Sequence, residues 1–296
     1  MLKQLDLTGL THESEAAWAG VLDLAAVCAD GWSLAGGQAV FVQTALRGSV
    51  PDRPSTDADL VIDLRADPGA SRKLTNALRE IGFDATRRDG NGRMHRWVRG
   101  DAQIDVLQPR HLGDRIENRL NKQGLETIGA PGAQHLLSRT EMVEIRLGGK
   151  ATEVRTPTAL GIIVAKAAGF QEIIHDPYRV RHLADILTVG PLVRASELRN
   201  EKPYTKLEQQ RVANAIGQSS KEKYAAELRT WFPRDLESRI ERTLNLHRGH
   251  AERSQERRLM DKLSRRPDGA PVQQVMVHPD QYRGPDGPGH EPRMSY

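Results

Sequence analysis

A single cysteine, Cys28, stands in a chain of 296 residues. One thiol excludes an intrachain disulfide and any zinc site built on paired cysteines, and it suits a reducing, cytoplasmic address. Aromatic residues make up only 4%, and the mean hydropathy is −0.57. The core is therefore expected to be lean, with part of the chain outside it. No apolar run approaches the ~18–20 residues that a membrane-spanning helix requires. The opening stretch, MLKQLDLTGLTHESEAAW, carries acids where a signal peptide has its continuous apolar segment. The 10 histidines include no metal-binding spacing such as HExxH, and no internal repeat is visible. An excess of one charge is also missing. Lys+Arg 43 against Asp+Glu 39 leaves +4, which is compatible with a nucleic-acid partner without requiring one.

What is present has a definite order. Ala16, Ala17, Val21, Leu24, Ala25 and Cys28 recur at helical spacing over residues 13–29, and Asp30-Gly31 ends that helix. Trp32-Ser33-Leu34-Ala35 has the length of a short strand. Gly36-Gly37 follows, then a second helical stretch, Gln38 to Leu46. A proline-containing loop over 48–55 leads into Thr56–Leu64. There Ala58, Leu60, Ile62 and Leu64 alternate with Asp57, Asp59, Val61 and Asp63. Because a strand has period two, one face is apolar and the other carries carboxylates. Ser71 to Ile81 reads as a helix closed by Gly82. Met94–Arg99 and Ala102–Leu107 flank Gly100-Asp101 as a hairpin, with Asp105 on the second strand. Thr156-Pro157 reads as a helix N-cap with proline at the first helical position, followed by a helix to about Ile174 and another over Tyr178–Val189. The pattern stays helical and increasingly charged to Arg266, and residues 267–296, rich in proline and glycine, read as a disordered tail.

Asp57 and Asp59, two apart on a strand, project side by side, and stability alone does not favour holding two like charges together. A divalent cation resolves the conflict. Magnesium binds through one or two carboxylates and completes its shell with water and phosphate oxygens. Asp105, on the corresponding face of another strand, is the candidate third carboxylate, either as a ligand or as acceptor of a hydroxyl proton. Gly36-Gly37, between a strand and a helix N-terminus, supplies the complement. Free amides and the helix dipole favour anions there, and the missing Cβ lets a polyphosphate come close.

On these residues, LAGGQAVF, STDADLVID and AQIDVLQ, the chain resembles the nucleotidyltransferase superfamily with the polymerase-β-like fold. The GG-x-A-V element, the Asp-x-Asp strand and the helical stretch after them are similar, more narrowly, to AbiEii-type nucleotidyltransferase toxins. Here Arg53 is followed by Pro-Ser-Thr before Asp57, a departure from the common loop. The resemblance spans roughly residues 30 to 190. It implies an α/β fold: a mixed sheet flanked by helices over 1–150, a helical domain over 151–266, and the tail 267–296. It also implies NTP as substrate, Mg2+ as cofactor, and nucleotidyl transfer to an acceptor hydroxyl. In some relatives the acceptor is tRNA, in others a small molecule. A cognate antitoxin is an implied partner, and a nucleotide-binding regulator without turnover is a third possibility. By the same resemblance, Asp57, Asp59 and Asp105 are the metal-binding and catalytic acids. Gly36, Gly37 and Thr56 are nucleotide contacts. Lys166 and Asp185 are site residues contributed by the following helices.

Other features have plainer explanations. Asp63, farther along the strand, reads as a solvated edge. Lys166 beside Ile162 and Ile163 suits a snorkelling lysine as well as a triphosphate ligand. Asp185 has Arg181 four residues before it, sufficient for a helical salt bridge. Arg239, Arg242, Arg248, Arg253, Arg257 and Arg258 recur along the last helical stretch as a solvated face, with RNA phosphate as the alternative contact.

Overall fold

The computed structural model describes residues 2–51, 55–88, 93–123 and 125–264; Arg53 and the tail 267–296 lie outside the described residues. The chain divides into two compact units, Met1–Arg257 and Arg258–Tyr296. The first holds every described strand, so the sheets and the helices that follow them up to Arg257 form one unit.

The strands are β1 (Lys3–Asp6), β2 (Trp32–Ala35), β3 (Ala58–Ile62), β4 (Asp84–Arg88), β5 (Met94–Arg99), β6 (Ala102–Pro109), β7 (Ile128–Ala130), β8 (Thr140–Leu147) and β9 (Lys150–Pro157). The helices are α1 (His12–Val27), α2 (Gly36–Ala45), α3 (Ala70–Glu80), α4 (Asp114–Lys122), α5 (Ala133–Leu137), α6 (Ala159–Glu172), α7 (Val180–Val189), α8 (Lys206–Ser219), α9 (Glu222–Trp231) and α10 (Leu236–Ser264). One sheet runs β2-β3-β6-β5-β4, with β7 added to the end of β6; the other runs β1-β8-β9. The larger sheet is mixed: β3 and β6 are parallel, while β2 against β3 and β5 against β6 are antiparallel. The architecture is thus a mixed α/β sheet flanked by helices and followed by a helical region. No described helix is long and apolar enough to cross a membrane.

The alternation on β3 does what period two requires. Ala58, Leu60 and Ile62 are buried in the main core with Trp18, Val21 and Leu24 of α1 and Leu74 and Leu78 of α3. The opposite face is not open along its whole length. Val61 is buried with Ala35, Ala133, Leu136 and Leu137, so α5 roofs that end. Asp63, expected at a solvated edge, is only 6% exposed. It accepts from Arg155 Nη1 at 3.1 Å and from the Ala66 amide at 3.3 Å, a partner contributed from β9. Asp57 and Asp59, at the other end of this face, are half-buried.

A second correction concerns the entry to α6. Thr156 is not its N-cap: it pairs with Glu141 inside the β8–β9 hairpin and is fully buried. The residue before a proline is driven to extended backbone, which suits a strand end. The cap is Thr158, extended at φ −64° and ψ 163°, whose hydroxyl accepts from the Gly161 amide at 3.2 Å. The β8–β9 hairpin itself turns on Gly148-Gly149 at φ +53° and +83°, the two-residue turn whose twist matches its strands. On α8, Thr205 and Glu208 form a reciprocal capping box.

Candidate active site

Strand register brings the acids together. Asp59 and Asp105 are direct partners across the parallel β3–β6 pair, so their side chains leave the same face of adjacent strands. Asp57 precedes β3 by one residue and keeps the same parity. Gln103 Nε2, two residues before Asp105, donates to Asp57 Oδ2 at 3.2 Å, and Ser55 Oγ donates to its Oδ1 at 3.1 Å. Asp57 and Asp59 are half-buried; Asp105 is 9% exposed. Thr56 is exposed beside them.

Register also delivers the glycines. Ala35 pairs with Asp59 across the antiparallel β2–β3 ladder, and α2 begins on the next residue. Gly36 has φ +59°, and a Cβ there would sit 1.7 Å from Asp59 Oδ2. A Cβ on Gly37 would sit 2.7 Å from Ser55 Oγ. Both positions therefore require glycine, the first for conformation and space, the second for space. The N-cap position, Ala35, offers no side-chain cap, which leaves the first amides of α2 beside the carboxylates.

The electrostatics follow from this crowding. The Asp59 carboxyl is pushed up to about 7, first by loss of hydration and then by the charge of Asp57, with Asp105 adding to it. Lys166 and Arg181 pull in the other direction. Lys166, on α6, is held by Asp185 of α7 at 2.5 Å, with only 14% and 9% of the two side chains exposed. Arg181, four residues before Asp185, donates through Nη2 to Asp176 Oδ2 at 3.1 Å. Helices 6 and 7 thus carry a lysine and an arginine close enough to act on the acidic face.

Arg96 was not singled out from the sequence. It lies opposite Asp105 on β5 and grips it with both prongs, Nε to Oδ1 at 2.9 Å and Nη2 to Oδ2 at 2.7 Å. The signal was available: counting outward from the Gly100-Asp101 turn pairs Arg99 with Ala102 and so Arg96 with Asp105. Ser55 and Gln103, which orient Asp57, gave no such signal. Among the described residues, no three acid, histidine or cysteine side chains already stand at metal-ligand distances.

The arginines of α10 divide. Arg242 and Arg248 are exposed, while Arg239 stacks on Phe232 and donates to Asp235, and Arg257 donates to the Glu201 carbonyl. Cys28 is half-buried against the core at the end of α1.

No family model matches the chain, and no curated protein matches it. Among solved structures, it is similar to the crystal structure of an antigenic nucleotidyltransferase-like protein from Paracoccidioides brasiliensis. The TM-score is 0.43 and the identity 16%, over 79% of this chain and 95% of that one.

Proposed function

We propose that the chain is a nucleotidyltransferase that moves a nucleoside monophosphate from an NTP to an acceptor hydroxyl and releases pyrophosphate. The observation that carries the reading is the shared register at Asp59, which faces Asp105 on one side and abuts Gly36 at the start of α2 on the other. Carboxylates and free helix-start amides within one site suit a nucleotide phosphate together with a divalent cation.

The donor set fits magnesium. Asp57 and Asp59 offer hard oxygens, and a dication would relieve the repulsion that lifts Asp59. Asp57 and Asp59 are the proposed holders, with Asp105 as third acid; the ion would neutralise charge on the phosphates when bound. The amides of Gly36 and Gly37 receive phosphate oxygens, and Lys166 supplies a further positive charge to them. Asp105 accepts the proton of the acceptor hydroxyl as its oxygen bonds to the α-phosphorus and the bond to pyrophosphate breaks. Asp185 positions Lys166. Thr56, exposed at the rim, is a proposed nucleotide contact.

For the acceptor we propose tRNA, and for the biological role a cytoplasmic toxin of the AbiEii type with a cognate antitoxin. Support comes from the sequence resemblance, the +4 charge and the exposed Arg242 and Arg248. A small-molecule acceptor is the alternative within the same chemistry. A second reading, nucleotide binding without turnover, is favoured by one observation: Asp105 is engaged by Arg96.

Incubation of the protein with Mg2+, each labelled NTP in turn and total RNA separates these readings. Label in tRNA supports the proposal, and label in small metabolites moves the acceptor. Nucleotide binding with no transfer supports the regulator. Transfer that persists in a D57A/D59A variant would remove the assigned centre.

A further inference from the structure

The acidic face contains an internal cation that the transfer chemistry above does not use. Asp57, Asp59 and Asp105 crowd one end of the sheet, yet the described structure gives only Asp105 a bidentate partner there. That partner, Arg96, comes from the adjacent strand in direct register, with 29% of its side chain exposed against 12% for Asp105. Elsewhere the same hairpin pairs Trp97 with Ile104, Val98 with Gln103 and Arg99 with Ala102, so the opposed charges occur only at the acids.

We propose that Arg96 is a built-in counter-cation: it holds Asp105 in the metal-free chain and is the group a divalent cation displaces when Asp105 joins the site. The inference rests on the metal-binding reading of Asp57 and Asp59. Arg96 is a positioning residue in this scheme. It keeps three carboxylates folded side by side before the metal arrives, and its interaction with Asp105 is given up when the metal binds. Removing it has two opposite consequences. The metal-free chain loses stability, because the acids lose their counter-charge. The cation binds more tightly, because nothing has to be displaced.

The test uses the full chain with Mn2+ alone as the probe, bound ion being read from loss of the free Mn2+ EPR signal. Thermal unfolding in EDTA is followed in parallel. Arg96→Gln is expected to melt lower in EDTA and to bind Mn2+ roughly two- to fivefold more tightly than wild type, the scale of a partly exposed charge pair. Arg96→Lys, which keeps the charge and loses the fork, is expected to fall between the two and serves if Arg96→Gln fails to fold. A purely structural salt bridge would lower the melting temperature and leave Mn2+ affinity unchanged or weaker. That result, with wild-type binding abolished by D57A/D59A, would overturn the role of Arg96 and keep the metal site. If neither wild type nor either Arg96 variant binds Mn2+, the metal site fails and the inference with it.

Discussion

Two charged clusters in this molecule are built on opposite terms. In the first, Arg139 and Glu208 are almost wholly enclosed, with 1% and 2% of their side chains exposed, and every charge is answered. Arg139 donates to both Glu208 oxygens at 2.8 and 3.0 Å and to the carbonyls of Lys202 and Pro203. Burial alone would raise the Glu208 carboxyl. The hydrogen bonds from His135 and the Thr205 amide, and the charge of Arg139, overcome it and hold the group down to about 2. In the second cluster, Asp59 stands among like charges and is pushed up to about 7. The difference separates architecture from chemistry. A buried ion pair with two direct hydrogen bonds ties α5 and the turn after it to α8, whereas the carboxylates beside the glycine-lined start of α2 crowd one another and raise Asp59.

Perturbing each cluster should therefore give different losses. The largest effect is expected at the acidic centre. Gly36→Ala drives a methyl into Asp59, and transfer activity measured with labelled NTP should fall by roughly two orders of magnitude or more. The fold should survive, as checked by far-UV circular dichroism. The matched cluster should respond in stability instead. Glu208→Gln leaves Arg139 buried without its counter-charge and is expected to cost about 3–5 kcal/mol in urea unfolding, with little change in nucleotide binding. If Glu208→Gln abolished nucleotide binding in folded protein, the separation of the two clusters would fail.

A smaller, pH-dependent effect sharpens the contrast. His247 and His250 are buried, 6% and 2% exposed, and burial pushes both imidazoles down to about 4. The unfolded chain binds protons on them near pH 6.5 and the folded chain does not, so their stabilising contribution is complete above that pH. It is lost as the pH falls from about 6.5 to 4, by roughly 2–3 kcal/mol for each histidine. Glu208 follows in a lower window. Its contribution is present above about 4.5 and disappears as the pH falls through about 2. Urea midpoints across pH 4–8 should show the histidine loss in wild type and a reduced one in His250→Phe, whose ring replaces the partner packed edge-on against Tyr204.

The elements around the centre were legible because local rules agree there. The glycine pair marks the start of α2, alternation marks β3, and a two-residue turn sets the β5–β6 register. Trp32–Ala35 and Met94–Arg99 match the expected strands end to end. What escaped reading depends on partners far away in sequence. Asp63 looks solvated until Arg155, on β9, is placed beside it. Asp185 has a neighbour of opposite charge on its own helix, and its pairing with Lys166 of α6 appears only once the helices are packed. The β8–β9 hairpin had its own signal in Gly148-Gly149 and alternating strands, yet Thr156-Pro157 imitates a helix start well enough to hide the end of β9. Local pattern placed the carboxylates on their strands; only the assembled sheets show that Asp105 meets Arg96 and Asp63 meets Arg155.

The remaining comparison is the finest and the most direct: melting of Asp59→Asn against wild type at pH 8, first in EDTA and then in excess Mg2+. If carboxylates are crowded here to receive a cation, removing one charge should stabilise the metal-free chain by roughly 1–2 kcal/mol. Magnesium should then raise the wild-type melting temperature and leave Asp59→Asn nearly unmoved, closing or reversing the gap. A variant less stable than wild type in EDTA, together with a wild type indifferent to Mg2+, would contradict the assignment of this face as a metal–nucleotide site.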